Sequence, residues 1–212
     1  PDVKGGRSCR ALTSHMDIIP TLLSMAGGDK SKKADLLANL KGKDFSGLLH
    51  NPQEAGVNEV RNAALYNFNM LVYEDPDFTL AAIKILAEKG PKEGPKEIRR
   101  QGLKPDFNKH RGAIRSVFDG RYKFSRYFST LQHNQPLTFK ELTTANDLEL
   151  FDQENDPHEM INLAADPAKN KTLIMAMNAK LNTIIKEEVG VDDGSSLGLN
   201  QDTEYAFSKV DI

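Results

Sequence analysis

The strongest constraint on the fold lies near the end of the chain. Leu173, Ile174, Met177, Leu181, Ile184, Ile185 and Val189 follow one another at steps of 1, 3, 4, 3, 1 and 4 residues. That spacing places one apolar stripe along one side of a helix, with polar residues around the rest. Asp166-Pro167 has the cap-plus-proline signature of a helix start, and Gly190 that of a stop. A helix with a single stripe buries it against another element, and the natural partner is one face of a sheet.

Ala113 to Phe128 supplies such a sheet. Ile114, Ser116 and Phe118 alternate with Arg115 and Val117, and Tyr122, Phe124 and Arg126 alternate with Lys123, Ser125 and Tyr127. Asp119-Gly120 between them offers the positive-φ turn that short hairpins prefer. A third strand is expected at Leu148–Phe151, with Leu148 and Leu150 on one face and Glu149 and Phe151 on the other. It breaks at Asp152. Asn155-Asp156-Pro157 then turns the chain, because Asn and Asp bond nearby backbone and proline biases the preceding residue away from helix. Met160, Ile161 and Leu163 are expected to return it to a core.

The first half reads as shorter pieces. Ser14-His15-Met16-Asp17 has the spacing of a capping box. Ile18, Ile19, Leu22, Leu23 and Met25 then repeat at helical spacing, with the helix proper opening near Pro20 and closing at Gly27-Gly28. Ala34 to Leu40 suggests a short helix, Asp44 to Leu49 a short apolar anchor, and Ala63 to Tyr66 a buried strand after Arg61. Asp75-Pro76 starts a helix that Gly90-Pro91 is expected to end. The tandem repeat Gly90-Pro91-Lys92-Glu93-Gly94-Pro95-Lys96-Glu97 carries few apolar groups, so residues 91–109 are expected to form a mobile loop. Residues 129–146 are expected to be loop, and the tail from Val191 extended. Its Tyr205, Phe207 and Val210 offer apolar groups for another surface or a partner subunit.

Composition narrows the function classes. The 28 basic and 30 acidic residues nearly cancel, to a formal charge of −2. A nucleic-acid or membrane-surface protein would show a basic excess. No apolar run approaches the ~18 residues of a membrane span. Cys9 is the only cysteine, so no internal disulfide is expected. The chain opens Pro1-Asp2-Val3 without methionine, which raises the expectation of a piece of something longer.

Local chemistry is sparse. His15, His50, His110, His133 and His158 form no compact ligand spacing. Asp152-Gln153-Glu154-Asn155-Asp156 starts like a calcium loop. The sixth and twelfth positions, where that loop needs Gly and Glu, hold Pro157 and Leu163. Asn170-Lys171-Thr172 is a glycosylation sequon at a helix start. The most suggestive group is Lys109-His110-Arg111 with Arg115, where a loop enters a strand. Guanidinium forks match carboxylate and sulfate geometry, so His110, Arg111 and Arg115 are the candidate substrate-binding residues. No catalytic nucleophile and no metal ligands are expected within the chain.

Three segments carry a resemblance. Ser14-His15-Met16-Asp17-Ile18-Ile19-Pro20-Thr21-Leu22-Leu23 running to Ala26-Gly27 is one. Ile114 to Phe124 around Asp119-Gly120-Arg121-Tyr122-Lys123 is the second. The third is Leu150-Phe151-Asp152 through Asn155-Asp156-Pro157-His158-Glu159 to Asn162-Leu163-Ala164. In this order they resemble the C-terminal part of a sulfatase of the alkaline-phosphatase superfamily, over roughly half the chain. The resemblance implies an incomplete α/β alkaline-phosphatase-like fold. Residues 1–90 would end the large α/β domain, 110–190 would form a small antiparallel sheet packed by a long helix, and 191–212 would be the tail. It implies an intact protein that hydrolyses a sulfate ester, with a formylglycine nucleophile and a Ca2+ ion bound by residues upstream of this chain. Its partners would be the sulfate-ester substrate and the missing N-terminal part of the same protein. The family's oxidised Cys-x-Pro-x-Arg cannot be Cys9, which is followed by Arg10, Ala11, Leu12 and Thr13. A related phosphate or phosphonate ester hydrolase, and a non-catalytic module binding an anion or a partner, remain as alternatives.

Overall fold

The computed structural model describes residues 3, 5–27, 30–69, 75–106, 111–129 and 132–192, with backbone alone for 30–33. At its centre is a four-stranded antiparallel sheet in sequence order: β1 (Ala64–Asn69), β2 (Ala113–Phe118), β3 (Tyr122–Phe128) and β4 (Asp147–Asp152). Leu65, Val117, Phe124 and Leu150 stand in register across all four strands. This row forms the core with Ile174, Met177, Leu181, Ile184 and Ile185 of α5 (Lys171–Glu188). The striped helix thus covers one face of the sheet, as its spacing requires. Val189, at the end of the stripe, is exposed. Gly190 closes the helix at φ 94°, and its N–H donates to the Ile185 carbonyl.

The hairpin turn is displaced by one residue from its expected position. Asp119 N–H bonds the Tyr122 carbonyl, so Gly120 and Arg121 are the central pair. Gly120, at φ 98°, supplies the left-handed backbone. The Asp119 carboxylate accepts from the Arg121 and Tyr122 N–H groups at 3.1 and 2.8 Å and from Lys180 Nζ of α5 at 2.6 Å. The turn is thereby fixed to the covering helix. Arg121 in turn grips Asp152 with two hydrogen bonds, of 3.0 and 2.8 Å.

Two stretches expected as loop are helical. Residues 139–145 form α4 (Phe139–Ala145), capped by Thr138 Oγ1, which accepts from Glu141 N–H; the Glu141 carboxylate accepts from Thr138 N–H. Leu142 of α4 joins the main core. Residues 91–100 belong to α3 (Pro76–Arg100). Gly90 (φ 76°, ψ 174°) folds the chain between two helical halves, and Pro91 opens the second half, where a missing N–H costs nothing. The halves approach closely: a Cβ on Gly94 would stand 2.6 Å from Leu86 Cδ2. Asp75 caps the first half through Asp77 and Phe78 N–H, and its other oxygen accepts from Asp106 N–H at 3.1 Å, clipping the end of the segment to its start.

The end of the acidic turn also differs from expectation. Met160 and Ile161 are 80% and 64% exposed instead of returning to the core. Asn162 makes the anchor. Its Oδ1 accepts from Leu150 and Ala164 N–H at 3.0 and 2.9 Å, and its Nδ2 donates to the Leu148 carbonyl at 3.1 Å. These bonds satisfy backbone on the outer edge of β4. Asn162→Ala should therefore cost about 1–3 kcal/mol, the penalty of unsatisfied buried-edge groups, while Met160→Ala leaves thermal unfolding unchanged. Equal melting temperatures for the two variants would refute this. Helix α5 starts at Lys171, later than Asp166-Pro167. Asp166 instead closes a tight turn by accepting from Lys169 N–H at 3.2 Å.

The N-terminal segment has a 3-10 turn (His15–Asp17) leading into α1 (Ile18–Met25), followed by α2 (Lys30–Ala38). Asp17 Oδ2 accepts from Ser14 N–H at 2.8 Å, one arm of the capping box. Gly27 closes α1 at φ 65°. Asp17 is buried and bonded twice by Arg61, whose Nη1 reaches Glu188 at the end of α5. Ile18, Ile19, Leu22 and Met25 of α1 are exposed. Strand β1 runs further than expected and is an edge strand, with Tyr66 and Phe68 exposed.

Candidate functional site

The face of the sheet opposite α5 carries a recess of about 310 Å³, lined among others by Tyr66, Ile114, Ser116, Lys123, Tyr127 and Glu149. Alternation along the strands brings these residues together, because each stands two positions from its neighbour on the same face. Ser116 Oγ and Ser125 Oγ lie 2.8 Å apart on the recess floor, and Ser116 also bonds the Phe124 carbonyl. Tyr66 and Phe68 stack with centroids 6.4 Å apart.

The predicted cations separate in the structure. Arg111 joins this open face: its guanidinium lies 4.3 Å from the Tyr127 ring centroid and bonds Glu149 Oε1 at 3.2 Å, with Asp147 at 3.4 Å. Tyr127 Oη donates to Glu149 Oε2 at 2.8 Å. Burial, together with that carboxylate, pushes the Tyr127 phenol up to about 12. Arg111 is half-exposed, so an incoming anion would compete with two carboxylates for it.

Arg115 points to the α5 side instead. It is buried, and its Nε and Nη2 grip the Asp192 carboxylate at 3.0 and 3.4 Å, while Nη1 donates to Asn69 Oδ1 at 3.1 Å. Phe128 lies beneath it. His133 Nε2 approaches the same carboxylate at 3.2 Å. Burial pushes the Asp192 carboxyl up, but the His133 and Arg115 contacts outweigh it and hold it well below the usual range. Arg115 and Arg111 are four residues apart in sequence yet lie on opposite faces. His110 lies outside the described residues, as does the tail with Tyr205, Phe207 and Val210.

The acidic turn is internally paired. Asp152 is held by Arg121 and by Asn155 Nδ2, Glu159 by Lys123 and Gln153, and Asp156 accepts from Ile161 N–H. Among the described residues no group of three or more His, Cys, Asp or Glu side chains is placed to hold a metal ion. No described helix is long and apolar enough to cross a membrane. Cys9 is exposed and unbridged.

No family model matches the sequence, and no curated protein does. Solved structures do match. One, determined with its substrate D-glucosamine-2-N,6-O-disulfate, superposes on 91% of this chain with a TM-score of 0.53 at 16% identity, covering 28% of its own length. A Bacteroides thetaiotaomicron protein assigned to the sulfatases superposes on 93% with a TM-score of 0.51 at 20% identity, covering 30% of its length. A 2-O glycosaminoglycan sulfatase matches 93% with a TM-score of 0.50 at 19% identity, again covering 30%. The chain has the fold of the C-terminal part of the sulfatases, a four-stranded antiparallel sheet with helices, within the alkaline-phosphatase-like architecture. It spans about 28–30% of the length of these structures.

Proposed function

We propose that this chain is the C-terminal portion of a sulfatase, a hydrolase of sulfate esters, and that it builds part of the fold and one wall of the substrate pocket. The observation that supports this best is the superposition of 91–93% of the chain on these structures. The exposed apolar side of α1 fits the same reading, since a surface of this kind belongs against further protein. The nucleophile, a formylglycine in this class, would lie in the part of the polypeptide outside this chain.

Calcium does not fit the described residues. The carboxylates of the acidic turn are engaged by Arg121, Lys123 and backbone N–H groups, and none is clustered for a cation. A Ca2+ ion of the intact enzyme would be held elsewhere. What this chain can offer a substrate is positioning. Arg111 is the candidate contact, since it is half-exposed and held by Tyr127 and Glu149, two residues that line the open recess. Arg115, taken up by Asp192, supports the sheet beneath.

The test is a parallel assay of the polypeptide encoded by the complete reading frame, following sulfate release and phosphate release from matched aryl esters. Faster sulfate release is expected, with Cys- or Ser-x-Pro-x-Arg encoded upstream of Pro1. Release of phosphate alone would replace this reading with that of a related phosphate ester hydrolase.

A further inference from the structure

On the α5 side of the sheet, Arg115 and Arg126 stand directly opposite each other on β2 and β3. Both are buried. Two guanidiniums side by side in a water-poor interior need negative charge nearby, because desolvation and mutual repulsion both disfavour them. The charges acting on Arg126 are the Asp192 carboxylate and the Arg115 guanidinium, and Asp192 is bound to Arg115. Among the described residues, one carboxylate thus serves two guanidiniums.

The donors repeat the imbalance. Arg115 presents its Nε–Nη2 edge to the Asp192 carboxylate, a two-point fit. The same edge of Arg126 is empty: Nε and Nη2 are buried and make no hydrogen bond among the described residues. Only Nη1 is engaged, by Asn178 Oδ1 at 2.8 Å and Asn182 Oδ1 at 2.6 Å. Both amides are turned by the Pro136 carbonyl, which accepts from their Nδ2 groups at 2.8 and 3.1 Å. This clamp holds the guanidinium but brings it no charge.

We propose that the Nε–Nη2 edge of Arg126 binds a small monovalent anion between the sheet and α5, a structural site distinct from the open face. Burial, with Arg115 adding to it, lowers the Arg126 guanidinium to about 10, consistent with a cation lacking a full counter-charge. A buried water would satisfy the donors but would leave the charge uncompensated.

The experiment is thermal unfolding of the full-length polypeptide in chloride, against gluconate at constant ionic strength, since gluconate is too bulky for a single fork. A ligand that binds only the folded state raises the melting temperature with its concentration. A rise of about 2–4 °C is expected over a hundredfold range of chloride. Arg126→Met should abolish that dependence. Asn178→Asp, which places a carboxylate on Nη1 but gives up the bond to the Pro136 carbonyl, should remove most of it. In crystals soaked with bromide, the anomalous peak is expected at Nε and Nη2. A flat wild-type response, an equal slope in both variants, or a water or a protein carboxylate in the fork would each overturn the proposal.

Discussion

Replacing Arg61 by methionine should destabilise the protein by about 3–5 kcal/mol, the cost of stranding a buried carboxylate. Asp17 is buried and takes two hydrogen bonds from Arg61, while Glu188 takes another at the end of α5. One guanidinium therefore joins the start of α1 to the far end of the covering helix. Removing it leaves Asp17 with the N–H groups of Ser14 and Lys43, and Glu188 beside a second carboxylate. Urea unfolding measures the loss, and Arg61→Met combined with Asp17→Asn should recover part of it. A loss below about 1 kcal/mol would place the pair among weak surface bridges.

The two carboxylates give the seam opposite responses to pH. Burial pushes Asp17 up, but its bonds from Arg61, Lys43 and Ser14 prevail and lower it below its ordinary value of 3.8. Its contribution is present above that value and is lost as pH falls through the folded value. Burial raises Glu188 above its ordinary 4.5 despite Arg61. Its contribution is full below 4.5 and is lost as pH rises through the folded value.

Phe124→Ala is the second large effect, with an expected cost of about 3–5 kcal/mol. Phe124 is fully buried in the row Leu65–Val117–Phe124–Leu150 and faces α5. Truncation would open a cavity in the middle of the sheet–helix contact, which the paired neighbouring strands cannot close. Met160→Ala, on an exposed side chain, should stay within about 0.5 kcal/mol. Comparable unfolding midpoints for the two variants would contradict this account of the core.

The sheet and its covering helix were legible because their signals are local: alternation over Ala113–Phe128 and helical spacing over Leu173–Ile185. Helix α4 also had a local signal, Thr138-x-x-Glu141, but the helix that it opens is only seven residues long and shows no extended apolar stripe. The repeat beginning at Gly90 misled for a physical reason. Gly90 does interrupt the helix, but proline directly after such a break starts a new one, and Gly94 lets the halves touch. The site was less legible. Arg111 and Arg115 looked like one basic cluster, yet their partners Glu149 and Asp192 lie 38 and 77 residues away. Arg115 takes its face from the alternation of β2, whereas Arg111 precedes the strand and is placed by Tyr127 and Glu149 instead. Nor does any sequence spacing announce that Arg126 will meet Asn178 and Asn182.

The sheet is asymmetric at its two borders. Asn162 occupies backbone positions along β4 that a further strand would need, so that border is sealed from within the chain. Strand β1 forms the other border, with no further strand beside it among the described residues. Growth of the sheet, whether by the remainder of the polypeptide or by faulty pairing between copies, is therefore directional. It can proceed past Ala64–Asn69 and not past Asp147–Asp152.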